Sequence, residues 1–188
     1  MSDYRNGNYC AFYVSESYEE SNLGANTSPD FAVYRMLQAW KAQDSNFPFY
    51  DSHGKTCSVR DDSDWETTLK PRLHERLKNS KNIILILSSL TANSRALREE
   101  LDYGINTLNL PVIVIYREFT KKEDIADGNN IKQQIKKLWD LISIFRDSKN
   151  KVSILHIPYD KSLITSALQN SDFMVQTSKR NGDFWYKI

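Results

Sequence analysis

Three stretches, NIILIL at 82 to 87, LPVIVIY at 110 to 116 and VSILHI at 152 to 157, are apolar at successive positions rather than at every second one. A strand with one wetted face alternates, so continuous runs of this length predict strands covered on both faces. CAFYV at 10 to 14 and FPFY at 47 to 50 read the same way, giving five strands. Amphipathic segments lie between them. Ala32 to Ala42 carries Val33, Leu37 and Trp40 at helical spacing, and Trp65, Leu69, Leu73 and Leu77 step by four. Ile131, Ile135, Leu138, Trp139, Ile142 and Phe145 form a further stripe. Ser63 with Glu66 has the form of a capping box, and Pro71 requires a first turn or a kink. The alternation predicts an α/β protein, a flavodoxin-like three-layer sandwich with a five-stranded parallel sheet, and the chain is read as one domain over 1–188.

In such sheets ligands collect where the strands end. The segments 13 to 18, 51 to 60 and 88 to 100 leave those ends and are expected to form a cleft. Several occupants of the architecture are excluded by sequence. There is no G-x-x-x-x-G-K-[ST] loop and no G-x-G-x-x-G after a strand. Leu87, Ser88 and Ser89 stand where a phospho-accepting receiver needs an aspartate. His53 in DSHG has no nucleophile elbow to serve, His74 is expected to be a solvated helix residue, and His156 a packed or hydrogen-bonded one. Cys10 and Cys57 form no metal-binding set, so no metal is expected. With 25 basic and 24 acidic residues the chain offers no global field for nucleic acid or anionic membranes. Its apolar runs fall far short of a membrane span and MSDYRNGN lacks a signal-peptide core, which predicts a cytoplasmic protein.

SRALREELDYG, from Ser94 to Gly104, places two glutamates side by side on a helix that Asn93 or Ser94 can cap. Leu97, Leu101, Gly104, Ile105 and Leu108 define its buried stripe. At ~100° per residue, Glu99 points away from that stripe into solvent, whereas Glu100 lies ~80° from its centre, at the boundary of core and water. Such a carboxylate is either positioned in the cleft or paired with a surface cation.

AFYVSESYEE at 11 to 20, FYDSHGKT at 49 to 56 and NIILILSSLTANSRALREELDYGI at 82 to 105 together resemble a bacterial TIR-like domain. The nearest branch in pattern is the short TIR-like family that includes the NAD-processing subunit of Thoeris anti-phage defence. Val14-Ser15-Glu16-Ser17 matches the first-strand motif, Leu87-Ser88 the strand ending in serine, and Ala96 to Leu101 the helix with the catalytic glutamate, which falls on Glu100. Ala96 stands in place of the usual tryptophan and Glu16 in place of an aromatic residue. The best-matching core is 8–120, with 121–188 a family-specific part.

The resemblance implies a signalling protein that cleaves the N-glycosidic bond of NAD+, with a cyclic ADP-ribose-type messenger as one product class. The leaving nicotinamide departs neutral, so one carboxylate can suffice without a general acid. Phe12 and Tyr18 are candidate stacking rings, and Lys55 and Arg60 candidate pyrophosphate contacts. Ser15 and Asp51 either orient ribose or cap turns. NAD+ is then substrate rather than cofactor. The implied partners are a homo-oligomer and an effector reached through the messenger. Two other readings stand beside this one: a non-catalytic interaction module, and another N-glycosidic enzyme such as a nucleoside deoxyribosyltransferase.

Overall fold

The computed structural model describes residues 5–14, 29–53 and 64–187, and every structural statement below concerns those residues. The elements are β1 (Gly7–Ala11), α1 (Pro29–Gln43), α2 (Lys70–Lys78), β2 (Ser80–Leu87), α3 (Arg95–Leu101), β3 (Val112–Tyr116) and α4 (Lys122–Ile125). They are followed by β4 (Ala126–Asp127), β5 (Asn130–Ile131), α5 (Gln133–Trp139), α6 (Ser143–Ser148), β6 (Ser153–Pro158), α7 (Lys161–Gln169) and β7 (Gly182–Trp185). The main sheet has the order β1-β2-β3-β6-β7, with every neighbouring pair parallel. β4 and β5 make a small antiparallel hairpin, whose turn places Gly128 at φ 55°, a conformation open to glycine at little cost.

The continuous apolar runs are buried on both faces, as their pattern predicts. Along β2, Ile83, Leu85 and Leu87 pack with Leu73, Leu77, Leu97, Leu101, Trp139 and Phe145 of α2, α3, α5 and α6. Ile84 and Ile86 pack with Val33, Tyr34 and Leu37 of α1 and Ile164 and Leu168 of α7. The sheet is thus the middle of three layers.

Three strands differ from the sequence reading, the first because the stretch read as a strand at 10 to 14 is β1 at Gly7–Ala11, three residues earlier. FPFY is not a strand: Phe47 and Phe49 are buried, but Phe47 N–H bonds to Asp44 O and Phe49 N–H to Phe47 O, while Pro48 has no N–H to give a ladder. Only an isolated parallel bridge, Asn8 to Asp51, marks a neighbour outside β1. The fifth strand is β7, in a tail with no long apolar run. The stripe from Ile131 to Phe145 is buried as expected but is divided into α5 and α6 rather than forming one helix. Ser63 lies outside the described residues. The cap observed there is Asp64, whose Oδ1 accepts from Thr67 N at 2.8 Å and Thr67 Oγ1 at 2.9 Å. One wide turn (Trp65–Leu69) then leads into α2, where Pro71 occupies the first turn.

β7 is held at its edge by a polar chain through the core. Trp139 Nε1–H donates to Tyr116 Oη at 2.7 Å, that hydroxyl meets His156 Nδ1 at 2.7 Å, and His156 Nε2 meets Asp183 Oδ1 at 2.9 Å. Asp183 is also ion-paired with Lys149. Burial lowers the His156 pKa, so the ring is neutral, with Nε2–H as donor to Asp183. Burial alone would raise Asp183, but His156 and Lys149 hold it below the ordinary carboxylate range. Asp183→Asn removes the charge facing Lys149, which is 9% exposed, and is expected to lower the unfolding free energy by ~2 kcal/mol, less than for a fully buried pair. Urea denaturation at pH 7 measures it.

Candidate functional site

Ser94 begins α3 as its N-cap, its Oγ accepting from Leu97 N at 3.2 Å. The helix then runs into a wider turn (Asp102–Thr107), a local expansion often found beside functional sites. Within it Gly104 lets the backbone approach β2: a Cβ there would stand 2.4 Å from Ile83 Cδ1. Leu97, Leu101 and Ile105 are fully buried and fix the phase of the helix.

That phase sends the two glutamates in different directions. Glu99 faces α2, where Oε1 lies 2.7 Å from His74 Nε2 and 3.5 Å from Lys70 Nζ. His74 in turn stacks on Tyr103 with ring centroids 3.6 Å apart. Neither residue is simply solvated, which corrects the expectation for both. The helical wheel of α3 counts only its own face and leaves out α2, which packs alongside it.

Glu100 faces β1. Tyr9 Oη donates to its Oε1 at 2.9 Å, and Oε2 is buried with no hydrogen-bond partner. Burial pushes the Glu100 pKa from 4.5 up to about 8, against the opposing effects of the Tyr9 hydroxyl and the Arg76 charge. The acid is therefore mostly neutral at pH 7. Magnitudes explain why α3 does not rotate to release it. Burying Leu97, Leu101 and Ile105 is worth ~1.5–3 kcal/mol each, whereas keeping a proton on an ordinary carboxyl at pH 7 costs only ~3–4 kcal/mol in all.

Tyr9 is the residue that the sequence reading missed. The sequence reading starts the strand at Cys10, which leaves Tyr9 outside it; inside the observed β1 a buried tyrosine must find a partner for its hydroxyl. Burial, then the Glu100 charge, raise its pKa well above 10.0, so it stays a donor. Tyr9→Phe removes the hydrogen bond that holds Glu100 down. The Glu100 carboxyl is expected to titrate about one pH unit higher in that variant, as read by carboxyl 13C NMR with Glu100→Gln to assign the resonance.

The Tyr9 ring packs on His53 at 4.7 Å between centroids. His53 Nε2 meets Cys10 O at 2.8 Å, and burial lowers the pKa of the ring, so a neutral imidazole with Nε2–H as donor fits best. His53 is a wall of the site. Phe12 completes an aromatic cluster with Tyr34 at 5.1 Å, Phe31 at 5.8 Å and His53 at 6.3 Å. Asp51 has both carboxylate oxygens engaged: Oδ1 accepts from His53 N at 2.9 Å, and Oδ2 from Tyr34 Oη at 2.7 Å and Gln38 Nε2 at 3.0 Å. It braces the turn that carries His53.

Ser88 belongs to a second cluster. It is buried at the end of β2, its N–H donates to Thr91 Oγ1 at 2.9 Å, and Thr91 Oγ1–H donates to Asp30 Oδ2 at 2.7 Å. Burial raises the Asp30 pKa despite the nearby Ser88 and Thr91 hydroxyls. The described residues thus bring Glu100, Phe12 and Asp51 together through Tyr9 and His53, while Ser88 joins Asp30 on α1. Ser15, Tyr18, Lys55 and Arg60 lie outside the described residues. A family profile described as the TIR-like domain of Thoeris protein ThsB matches residues 9–122, more than half of the chain and all of the elements that build the site.

Proposed function

Because the chain belongs to the TIR-like family of Thoeris protein ThsB, we propose that it cleaves the nicotinamide N-glycosidic bond of NAD+ with Glu100 as the catalytic carboxylate. The observation that carries this reading is the state of Glu100. It is an acid beside aromatic walls, one oxygen anchored by Tyr9 and the other buried without a partner among the described residues. A carboxyl held neutral by burial is primed for a cation, since an adjacent positive charge favours its ionised form. NAD+ supplies one in its nicotinamide ring.

The steps follow from charge. As the cationic ring settles beside Glu100, the carboxyl loses its proton to solvent. The bond from ribose C1′ to the nicotinamide nitrogen then breaks, and its electron pair leaves with the ring, which becomes neutral. Positive charge passes to the ribose as an oxocarbenium, and the Glu100 carboxylate stabilises it while Tyr9 fixes the carboxylate's orientation. Capture by water gives ADP-ribose; capture by a nucleophile of the same molecule gives a cyclic product, suited to act as a messenger to a separate effector. Phe12 and its neighbours offer apolar surface for the leaving ring. Ser15, Tyr18 and Arg60 stay proposed contacts to ribose, base and pyrophosphate. Assembly of several copies would close the site against water.

Incubating the folded protein with NAD+ and separating the products by mass spectrometry tests this. Nicotinamide with ADP-ribose or a cyclic isomer is the expected result. NAD+ recovered intact, from assembled as well as monomeric protein, overturns the reading.

A further inference from the structure

A second polar constellation lies where β1 and β2 begin. Gly7 pairs with Ser80 and Asn8 with Asn82, so Lys81 is left over between two ladder positions. Bulges of this kind re-aim a side chain, and Lys81 Nζ stands 5.5 Å from the centroid of the Tyr50 ring. Lys41 Nζ approaches the same ring to 4.4 Å. Tyr50 is 54% exposed and lines an open cleft of about 460 Å3 together with Asn6, Lys41, Asp51, Ser52 and Asn79.

The charges around this cleft do not balance. Lys81 is 9% exposed, yet among the described residues its ammonium has no hydrogen bond and no ion pair; burial alone pushes its pKa down. The stem of Lys81 is buried while its Nζ stays accessible beside the Tyr50 ring, the usual arrangement for a long cationic side chain. Lys41 gives two of its three N–H groups to Ser45 O at 2.7 Å and Phe47 O at 2.8 Å, so one remains to donate. Asp51, the acid in the lining, is already engaged by Tyr34, Gln38 and His53. Two ammonium groups therefore share one ring with no anion assigned to them, and Asn6, Asn79 and the exposed Tyr50 add neutral hydrogen-bonding groups, while the Ser52 hydroxyl is already given to Ser80 Oγ.

We propose that this cleft binds the phosphoryl group of a small molecule beside Tyr50, held by Lys41 from the cleft lining and by Lys81, which reaches the same ring from outside that lining, at a site separate from Glu100. A phosphoryl dianion matches the two ammonium charges, and its several oxygens can use the amide and hydroxyl donors that a halide would leave idle.

Pyrophosphate is the probe, titrated by calorimetry at constant ionic strength with chloride as balance. Saturable binding near or below ~1 mM is expected for the parent, with the 13Cε resonance of Lys81 moving along the same isotherm. Lys81→Met should weaken binding about tenfold or more, and should still fold because methionine keeps the buried stem and no hydrogen bond or ion pair of Nζ among the described residues is lost. Glu100→Gln should bind unchanged. Absence of saturable binding, or equal affinity in Lys81→Met, overturns the proposal. So does a Lys81 resonance that stays still while the protein binds, a test that needs no variant. Loss of binding in Glu100→Gln would place the probe at the other site and also overturn it.

Discussion

Glu100→Gln is expected to lower NAD+ turnover by about two to three orders of magnitude, equivalent to ~3–4 kcal/mol of transition-state stabilisation. Glutamine keeps the shape and can still accept from Tyr9 Oη, the contact that Oε1 makes at 2.9 Å, but it can never carry the charge that a ribosyl cation needs. Glu99→Gln is the matched control, with the same chemistry one residue earlier in the same helix. Because Glu99 is tied to His74 and Lys70, that variant should unfold ~0.5–1 kcal/mol more easily while turnover changes by less than a few-fold. Initial rates of nicotinamide release from both variants, beside their denaturation curves, separate a positioned carboxylate from general loss of charge. Equal losses of activity would refute the assignment.

Acidity provides the second large effect. With the free acid titrating at about 8, kcat/KM should climb roughly tenfold per pH unit through the neutral range and level off above it, close to a hundredfold in total from about pH 6 to pH 9. kcat reports the loaded protein, where the cationic ring favours ionisation, so its rise should fall at lower pH. Stability must move the opposite way. The folded state holds the Glu100 proton more tightly than the unfolded chain, whose glutamate titrates near 4.5. The stabilisation from that proton is complete below the unfolded pKa and is lost as pH rises through the folded one, at up to ~1.4 kcal/mol per pH unit. Glu100→Gln lacks this slope, so the parent should lose ground to the variant between about pH 5 and pH 8. A flat kcat/KM across the range would mean that Glu100 is not the titrating catalytic group.

Much of this is legible in the amino-acid order alone. NIILIL, PVIVI and SILHI had to be central strands because nothing else of that length accepts cover on both sides. The spacing of Leu97, Leu101 and Ile105 fixed which glutamate turned towards the edge of the core beside the sheet. Other features leave no local trace. β7 is a four-residue edge strand that takes its stability from His156 and Asp183, and FPFY looks like a strand only until its turn hydrogen bonds are known. The partners of Glu99 come from α2 and that of Glu100 from β1, 91 residues away in sequence. Periodicity describes one helix at a time, so it put Glu100 at the edge of the core, whereas the neighbouring elements place one of its oxygens inside.

The hydroxyl that steadies Glu100 comes from the middle of a strand, paired in register with Ile83, and the acid itself comes from a helix locked by three buried side chains. Both anchors therefore sit in regular elements rather than in connections. Connections in general tolerate changes of length and composition better than such elements do. On the proposed function, reactivity and recognition can therefore diverge at different rates: a lineage can exchange the surfaces that choose a substrate or a product while inheriting the same carboxyl and hydroxyl pair intact.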